Sequence, residues 1–537
     1  MRWNCNRSAP ALCAAFLSAA ACAAAAEKIV VFNQDNTHFI LDAKEKRKGR
    51  EDFIRYFDTV CRGAVTHFFM CPNSMRSNLD TKSFEPIWEA LKEDGVRPEW
   101  GEAAKWLHDS GVDQYAIWTA RAREKGVSPW LTMRMNDVHS VSDPKRGVHC
   151  RFWREHPECK VVPNYEGPSW SCHALDYSHE AVRARALGYV RELLERYDVD
   201  GLECDWLRFP WHLTRGRERE KSHVLTEFMR EVRKIAAAAS ARRGRRILVG
   251  ARVASNRDAA LLLGTDAEQW AKDGSIDWLV PCNFYTSADF DLDYADWARR
   301  ISAANPGVLV VPGIDTGVAK AVGAGGNRQY LTLAEYRGWC ASMYAQKAPG
   351  VYLFNLFQFD PASHDLYKND SSIWDAVLDG GLSPAAVSAA PSLAYPVSFC
   401  DCLPTGPFGL QTNKPVGEGV EIRIRVGRPP ESGEVTVLLA FDAAVSGDEI
   451  RGGVRLNGIA PTSIAPEKTE SWIAPTKVAL TSWRLAFGAF SIKEGANVVS
   501  VRGFGNDGTK LRACELQIST RRTDLAKERG AKPHEQH

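Results

Sequence analysis

Strand-like and helix-like patterns alternate eight times between residues 27 and 380, and few layer architectures accept that order. The strand candidates are Lys28–Gln34, Ala64–Met70, Ser128–Met135, Val199–Asp205, Arg246–Val253, Asp277–Tyr285, Val308–Ile314 and Gly350–Phe357. Amphipathic stretches such as Glu51–Cys61, His179–Tyr197, His223–Ala241, Tyr294–Ala304 and Leu333–Ala345 lie between them, and Ser371–Leu378 follows the eighth. Near-continuous apolar strands alternating with helices predict a parallel sheet covered on its outer side. Eight such units predict an α/β fold of the (β/α)8 TIM-barrel type with enlarged loops. The rival, an open doubly wound sheet, would carry a glycine-rich phosphate loop after its first strand, and none follows Gln34.

The remaining residues divide around that core. Arg2 and Arg7 precede the short, alanine-rich apolar run Ala11–Ala26, which predicts a cleaved export signal over 1–26 and a secreted or periplasmic protein. Cys22 follows alanines, but no leucine stands three residues before it, which argues against a lipid anchor. No other stretch reaches membrane length, so no span is expected in the mature chain. Barrel 27–380 gives way to a linker over 381–396, rich in Ala, Ser and Pro. Short alternating strands over 397–520 (Val420–Val426, Gly433–Phe441, Gly453–Leu456, Arg484–Ser491, Asn497–Gly503 and Ala513–Ile518) then predict an antiparallel β-sandwich accessory domain without helices. The charged segment 521–537 reads as a disordered tail. The whole chain of 537 residues holds 68 Lys plus Arg against 66 Asp plus Glu, a balance that gives no global attraction to nucleic acid or anionic membrane. Its 14 cysteines include Cys5, Cys13 and Cys22 in the signal, which leaves an odd number that cannot pair completely. Cys204 and Cys282 are expected as buried thiols, and Cys150, Cys159 and Cys172 on one loop could supply a disulfide. Seventeen tryptophans suit sugar rings, whose C–H faces stack on aromatic planes, although most are expected in cores.

The fourth strand carries the chemistry. In Val199-Asp200-Gly201-Leu202-Glu203-Cys204-Asp205-Trp206-Leu207-Arg208-Phe209-Pro210, alternation puts Glu203 and Asp205 on one face. Adjacent carboxylates at the end of a buried strand repel each other and resist desolvation, so they point to a use. The same parity turns Arg134 and Asn136 inward on strand three, and Gly250 and Arg252 on strand five. Two arginines then flank the carboxylates. Strand six offers Asn283 and Tyr285 for binding, and strand seven offers Asp315 at its tip. Glycoside hydrolysis needs one carboxyl to protonate the leaving oxygen and another to attack or to activate water. Flanking arginines are expected to lower Glu203, leaving Asp205 for direct chemistry. If Glu203 is instead locked in an Arg134–Arg252 network, the acid comes from Asp137 or Asp315. Trp206 and Arg208 either bind substrate or wall the rim, and His139 is expected to be a solvated loop histidine. The loop from about Asp137 to Ser178, with Trp153, Tyr165 and Trp170, is expected over the mouth. None of the predicted strands carries a His-x-His pair, so neither a metal nor a cofactor is expected.

Tyr197-Asp198-Val199-Asp200-Gly201-Leu202, with Asp205 and the ending Phe209-Pro210, resembles the strand-four signature of the glycosyl-hydrolase-like family 10 barrels. Ile276-Asp277-Trp278-Leu279-Val280-Pro281, with Asn283 and Tyr285, resembles its strand-six segment. The resemblance covers Lys28 to Gly380. It implies an exported barrel hydrolase acting on the glycosidic bonds of a poly- or oligosaccharide, in some relatives peptidoglycan strands, with Asp205 as a catalytic acid residue. Two positions depart from it: Trp206 stands where many relatives have a second aspartate, and Asn283 where they have glutamine. The alternative is a non-catalytic glycan-binding protein that keeps the same architecture.

Overall fold

The computed structural model describes residues 28–35, 37–143, 145–284, 288–321, 329–363, 370–397, 414–431, 433–504 and 508–519. Its first part is a closed barrel of eight parallel strands: β1 (Ile29–Gln34), β2 (His67–Met70), β3 (Ser128–Arg134), β4 (Gly201–Asp205), β5 (Leu248–Ala254), β6 (Trp278–Cys282), β7 in two pieces (Leu309–Val310 and Gly313–Ile314) and β8 (Gly350–Leu353). The first six pair in a continuous run from β1 to β6. Closure comes where β1 pairs β8, β8 pairs the second piece of β7, and that piece meets β6. The break in β7 falls at Pro312, which has no N–H to give a ladder. All eight strands occur in the expected order. Strands six and eight stop earlier than expected, at Cys282 and Leu353.

One helix of each unit covers the outside: α1 (Arg50–Val60), α2 (Gln114–Lys125), α3 (Glu180–Arg196), α4 (Ser222–Arg243), α5 (Ala267–Lys272), α6 (Tyr294–Ala304), α7 (Leu333–Ala345) and α8 (Ser372–Leu378). Their ends carry ordinary punctuation. At α2, Asp113 accepts from the Ala116 N–H, and Gly126 takes a left-handed φ of 69° at the other end.

Inside, the barrel has a floor of rings. Phe69 stacks on Trp130 with centroids 4.8 Å apart, and Trp278 lies 5.4 Å from Trp130. Gly201 makes room for this, because a Cβ there would sit 2.4 Å from the Trp130 ring. Strand register stacks two polar layers beyond that floor. Thr132 pairs across to Glu203 and Glu203 to Gly250; one step further, Arg134 pairs to Asp205 and Asp205 to Arg252.

Two antiparallel sheets follow. One runs β9 (Ser392–Pro396), β17 (Lys510–Ser519), β12 (Glu434–Phe441), β15 (Thr481–Gly488) and β14 (Ser463–Glu467), with the short β10 (Lys414–Pro415) also on β17. The other runs β11 (Val420–Val426), β16 (Gly495–Val501) and β13 (Val454–Leu456). Residues 381–396, expected as a linker, instead hold the helix Pro384–Ser388 and strand β9, which is hydrogen-bonded along β17. A second correction is the helix Gly447–Gly453, where only strands were expected; Ser446 and Glu449 close its capping box. The sheets dock directly on the barrel. A Cβ at Gly338 of α7 would lie 2.2 Å from the Ala394 carbonyl of β9. Buried Lys320 reaches Glu335 of α7 at 2.5 Å and Glu515 of β17 at 2.7 Å. Among the described residues, no helix is long and apolar enough to cross a membrane. The expected signal (1–26), Cys400, Cys402 and the tail (521–537) lie outside them.

Candidate active site

The inward parity of strands three to five brings Thr132, Arg134, Glu203, Asp205, Gly250 and Arg252 together at the C-terminal end of the barrel. Their pairing differs from the expected one. Arg252 grips Asp205 with both prongs, Nε to Oδ1 at 3.0 Å and Nη2 to Oδ2 at 2.8 Å. The backbone N–H groups of Leu207 and Arg208 also donate to Asp205 Oδ1, at 3.0 and 2.9 Å. Arg134 turns away from both strand-four carboxylates. It pairs with Asp35, at the end of β1, and with Asp137 at 2.7 Å.

Glu203 therefore has no guanidinium partner, and the expectation that arginines lower it is overturned. Its side chain is fully buried. Oε1 accepts from Thr132 at 2.6 Å and from the Tyr352 hydroxyl at 2.9 Å, while Oε2 has no hydrogen-bond partner. Burial and the adjacent Asp205 charge push the Glu203 carboxyl up from 4.5 to about 7, against the pull of Arg252 and the two hydroxyls. The Tyr352 oxygen in turn takes a hydrogen bond from Asn33 Nδ2 at 2.7 Å.

The other expected site residues take different places. Asn136 is a tie: its amide bridges the Leu175 backbone, the Trp211 carbonyl and His212. Trp206 belongs to the wall. It faces the helices and packs against Phe228 of α4 at 5.5 Å and Trp270 of α5 at 6.1 Å, so of the two places expected for it, substrate contact or rim wall, it takes the wall. Alternation requires this, since Asp205 before it points inward. Asp137 is fully engaged, by Arg134, by the His139 backbone N–H at 3.0 Å and by His139 Nδ1 at 2.7 Å. Burial would raise its carboxyl, but the bonds from His139 and Arg134 hold it well below the usual range. His139 is not merely solvated: its Nε2 lies 3.0 Å from Arg208 Nη2. Asn283, just past β6, accepts from the Asp315 N–H at 3.2 Å and leaves its own Nδ2 buried without a partner. Asp315 accepts from the Thr316 N–H at 2.7 Å and from Asn355 at 3.2 Å. Tyr285 lies outside the described residues.

Sequence reading missed Asp35, Thr132 and Tyr352. Parity was the only signal for Thr132 and Tyr352, which stand on the inward faces of strands already assigned, whereas Asp35 stands one residue past the first strand. The loop after β3 does reach the mouth, where Trp170 lies 5.0 Å from Trp211, 5.6 Å from Phe209 and 6.2 Å from Phe284. Cys150, Cys159 and Cys172 are free thiols, so the suggested disulfide is absent. Cys204 and Cys282 are buried, and burial pushes the Cys282 thiol up to about 12. Among the described residues, His156, Glu158 and Cys159 place ligand atoms within 4.8 Å of one another, but His156 and Glu158 already bond each other at 2.9 Å.

No family model matches the chain, and no curated protein matches it. Among the solved structures it resembles are glycoside hydrolases of low identity. Alpha-L-fucosidase isoenzyme 2 from Paenibacillus thiaminolyticus is 12% identical with a TM-score of 0.40, over 68% of this chain and 51% of that one. The chain thus spans about half the length of the fucosidase. The PgaB (BpsB) glycoside hydrolase domain from Bordetella bronchiseptica is 12% identical with a TM-score of 0.39, over 64% of this chain and 98% of that one. A family GH18 chitinase from Chromobacterium violaceum is 11% identical with a TM-score of 0.35, over 91% of this chain and 89% of that one.

Proposed function

We propose that the barrel hydrolyses glycosidic bonds of a poly- or oligosaccharide, with Glu203 delivering the proton and Asp205 facing the positive charge that develops at the sugar. The observation that carries this reading is the unlike environment of two adjacent inward carboxyls. Glu203 meets only hydroxyls and is pushed up to about 7, which keeps a proton available near neutrality. Asp205 is held by a bidentate guanidinium and two backbone N–H groups, and its Oδ2 takes only one bond. Carboxyl pairs with diverging proton affinities divide into acid and charge-stabilising partner. This differs from the expectation from sequence, where Asp205 was the first choice for direct chemistry and Glu203 was expected to be lowered. The ring cluster of Trp170, Phe209, Trp211 and Phe284 suits the C–H face of a sugar. With the signal reading of 1–26, the enzyme acts outside the cytoplasm, and the two C-terminal sheets form a β-sandwich accessory domain.

The test is release of new reducing ends from a panel of polysaccharides and peptidoglycan strands by protein beginning at Glu27. Glu203→Gln and Asp205→Asn should each lower kcat/KM by about 10²–10⁴ with unchanged circular dichroism. Full activity in either variant refutes the assigned roles. Retention on an immobilised glycan without turnover by wild type selects the non-catalytic binding protein.

A further inference from the structure

Three guanidiniums stand at the barrel mouth, and two of them are committed to carboxylates. Arg252 is committed to Asp205, and Arg134 to Asp35 and Asp137. Arg208 forms no ion pair among the described residues, although it is only 9% exposed and its Nε has no hydrogen-bond partner. A desolvated cation without an adjacent anion is unfavourable. Asp35, Asp137 and Asp315 attract it from a distance, yet burial, aided by Arg134, still draws Arg208 below the usual arginine range.

The side chain is nonetheless held in place. Arg134 Nη1 lies 2.7 Å from Asp137, Asp137 Oδ1 lies 2.7 Å from His139 Nδ1, and His139 Nε2 lies 3.0 Å from Arg208 Nη2. A guanidinium only donates, so His139 Nε2 accepts, and Nδ1 carries the ring proton and donates it to Asp137. The neutral ring this requires agrees with the lowering of His139 by burial. Phe209 and Phe354 add walls, with ring centroids 5.5 and 5.7 Å from the guanidinium carbon. Positioning residues thus fix a charged fork whose natural complement, a carboxylate or a tetrahedral oxyanion, no described side chain provides.

We propose that Arg208 recognises an anionic group on the sugar, so that the substrate is an acidic glycan bearing a carboxylate or a sulfate. The inference rests on the hydrolase reading of the same mouth, with Arg208 setting which sugar lies beside Glu203 and Asp205.

Binding separates it from turnover. Full-length Glu203→Gln protein would be titrated calorimetrically with a panel of uronate oligosaccharides and their carboxyl-reduced counterparts. A second arm uses sulfated oligosaccharides and their desulfated counterparts. At least one anionic member should bind about tenfold to a hundredfold more tightly than its neutral counterpart, the worth of one charge-assisted hydrogen bond. Adding Arg208→Gln should erase that margin, and Arg208→Lys should keep part of it. The arm that responds identifies carboxylate or sulfate. If no anionic member exceeds its neutral counterpart, or if the margin survives Arg208→Gln, the inference is overturned. Failure of the hydrolase reading looks different: the wild type then binds the acidic glycan and releases no reducing ends.

Discussion

Replacing Glu203 with glutamine should make the protein more stable at alkaline pH and less so, by comparison, in acid. The side chain is fully buried, and folding moves its carboxyl from 4.5 to about 7. The folded state then binds the proton more tightly than the unfolded state, so protonation favours folding. That contribution is complete below pH 4.5 and is lost as pH rises through about 7, a change worth about 3 kcal/mol. Glutamine keeps an oxygen for Thr132 and Tyr352 but does not titrate. Urea unfolding of wild type and Glu203→Gln would be followed by tryptophan fluorescence at pH 4 and pH 8.5. The stability difference between the two proteins should shift by about 3 kcal/mol in favour of the variant across that interval. Parallel pH dependence in both would refute the reasoning, because it would mean that Glu203 ionises as easily in the fold as in the unfolded chain.

Arg252→Met strands the Asp205 charge at a site where both side chains are 2% exposed, and should cost about 3–5 kcal/mol in thermal denaturation. The double variant Arg252→Met/Asp205→Leu should recover most of that loss, and a double variant no better than the single would refute the ion-pair account. Lys320→Met leaves Glu335 and Glu515 facing each other and should cost a similar amount, about 3–5 kcal/mol. Adding Glu515→Gln should restore part of it in the same melt.

Side-chain alternation made much of this site legible. A period of two turns Glu203, Asp205, Arg134, Gly250 and Arg252 inward once the strands are placed, and it would have turned Trp206 outward had it been applied one residue further. Pairing was not legible. Arg134 and Arg252 look equivalent beside strand four, and Asp35 at the end of β1, together with Asp137, draws Arg134 away. The partners of Glu203 lie 71 and 149 residues distant, so no local pattern announces them. The segment 381–396 failed for the same reason. Its small residues read as a spacer, but β9 takes its order from a strand that begins at Lys510. Barrel units are local in sequence and sheet partners are not, which is why the first part of the chain was the easier to read.

The Lys320 contact has a consequence in time. Its second carboxylate, Glu515, lies 195 residues further along the chain. At ribosomal rates of ~5–20 residues per second, Lys320 waits roughly 10–40 s for that partner after it is made. The barrel segment therefore spends that interval with one buried-site charge half compensated, and the first part of it with the face of α7 around Gly338 not yet covered by β9. Completion of the seventh barrel unit is tied to synthesis of the last strand. A chain interrupted near residue 380 would hold permanently the unfinished surface that the full chain exposes only in passing.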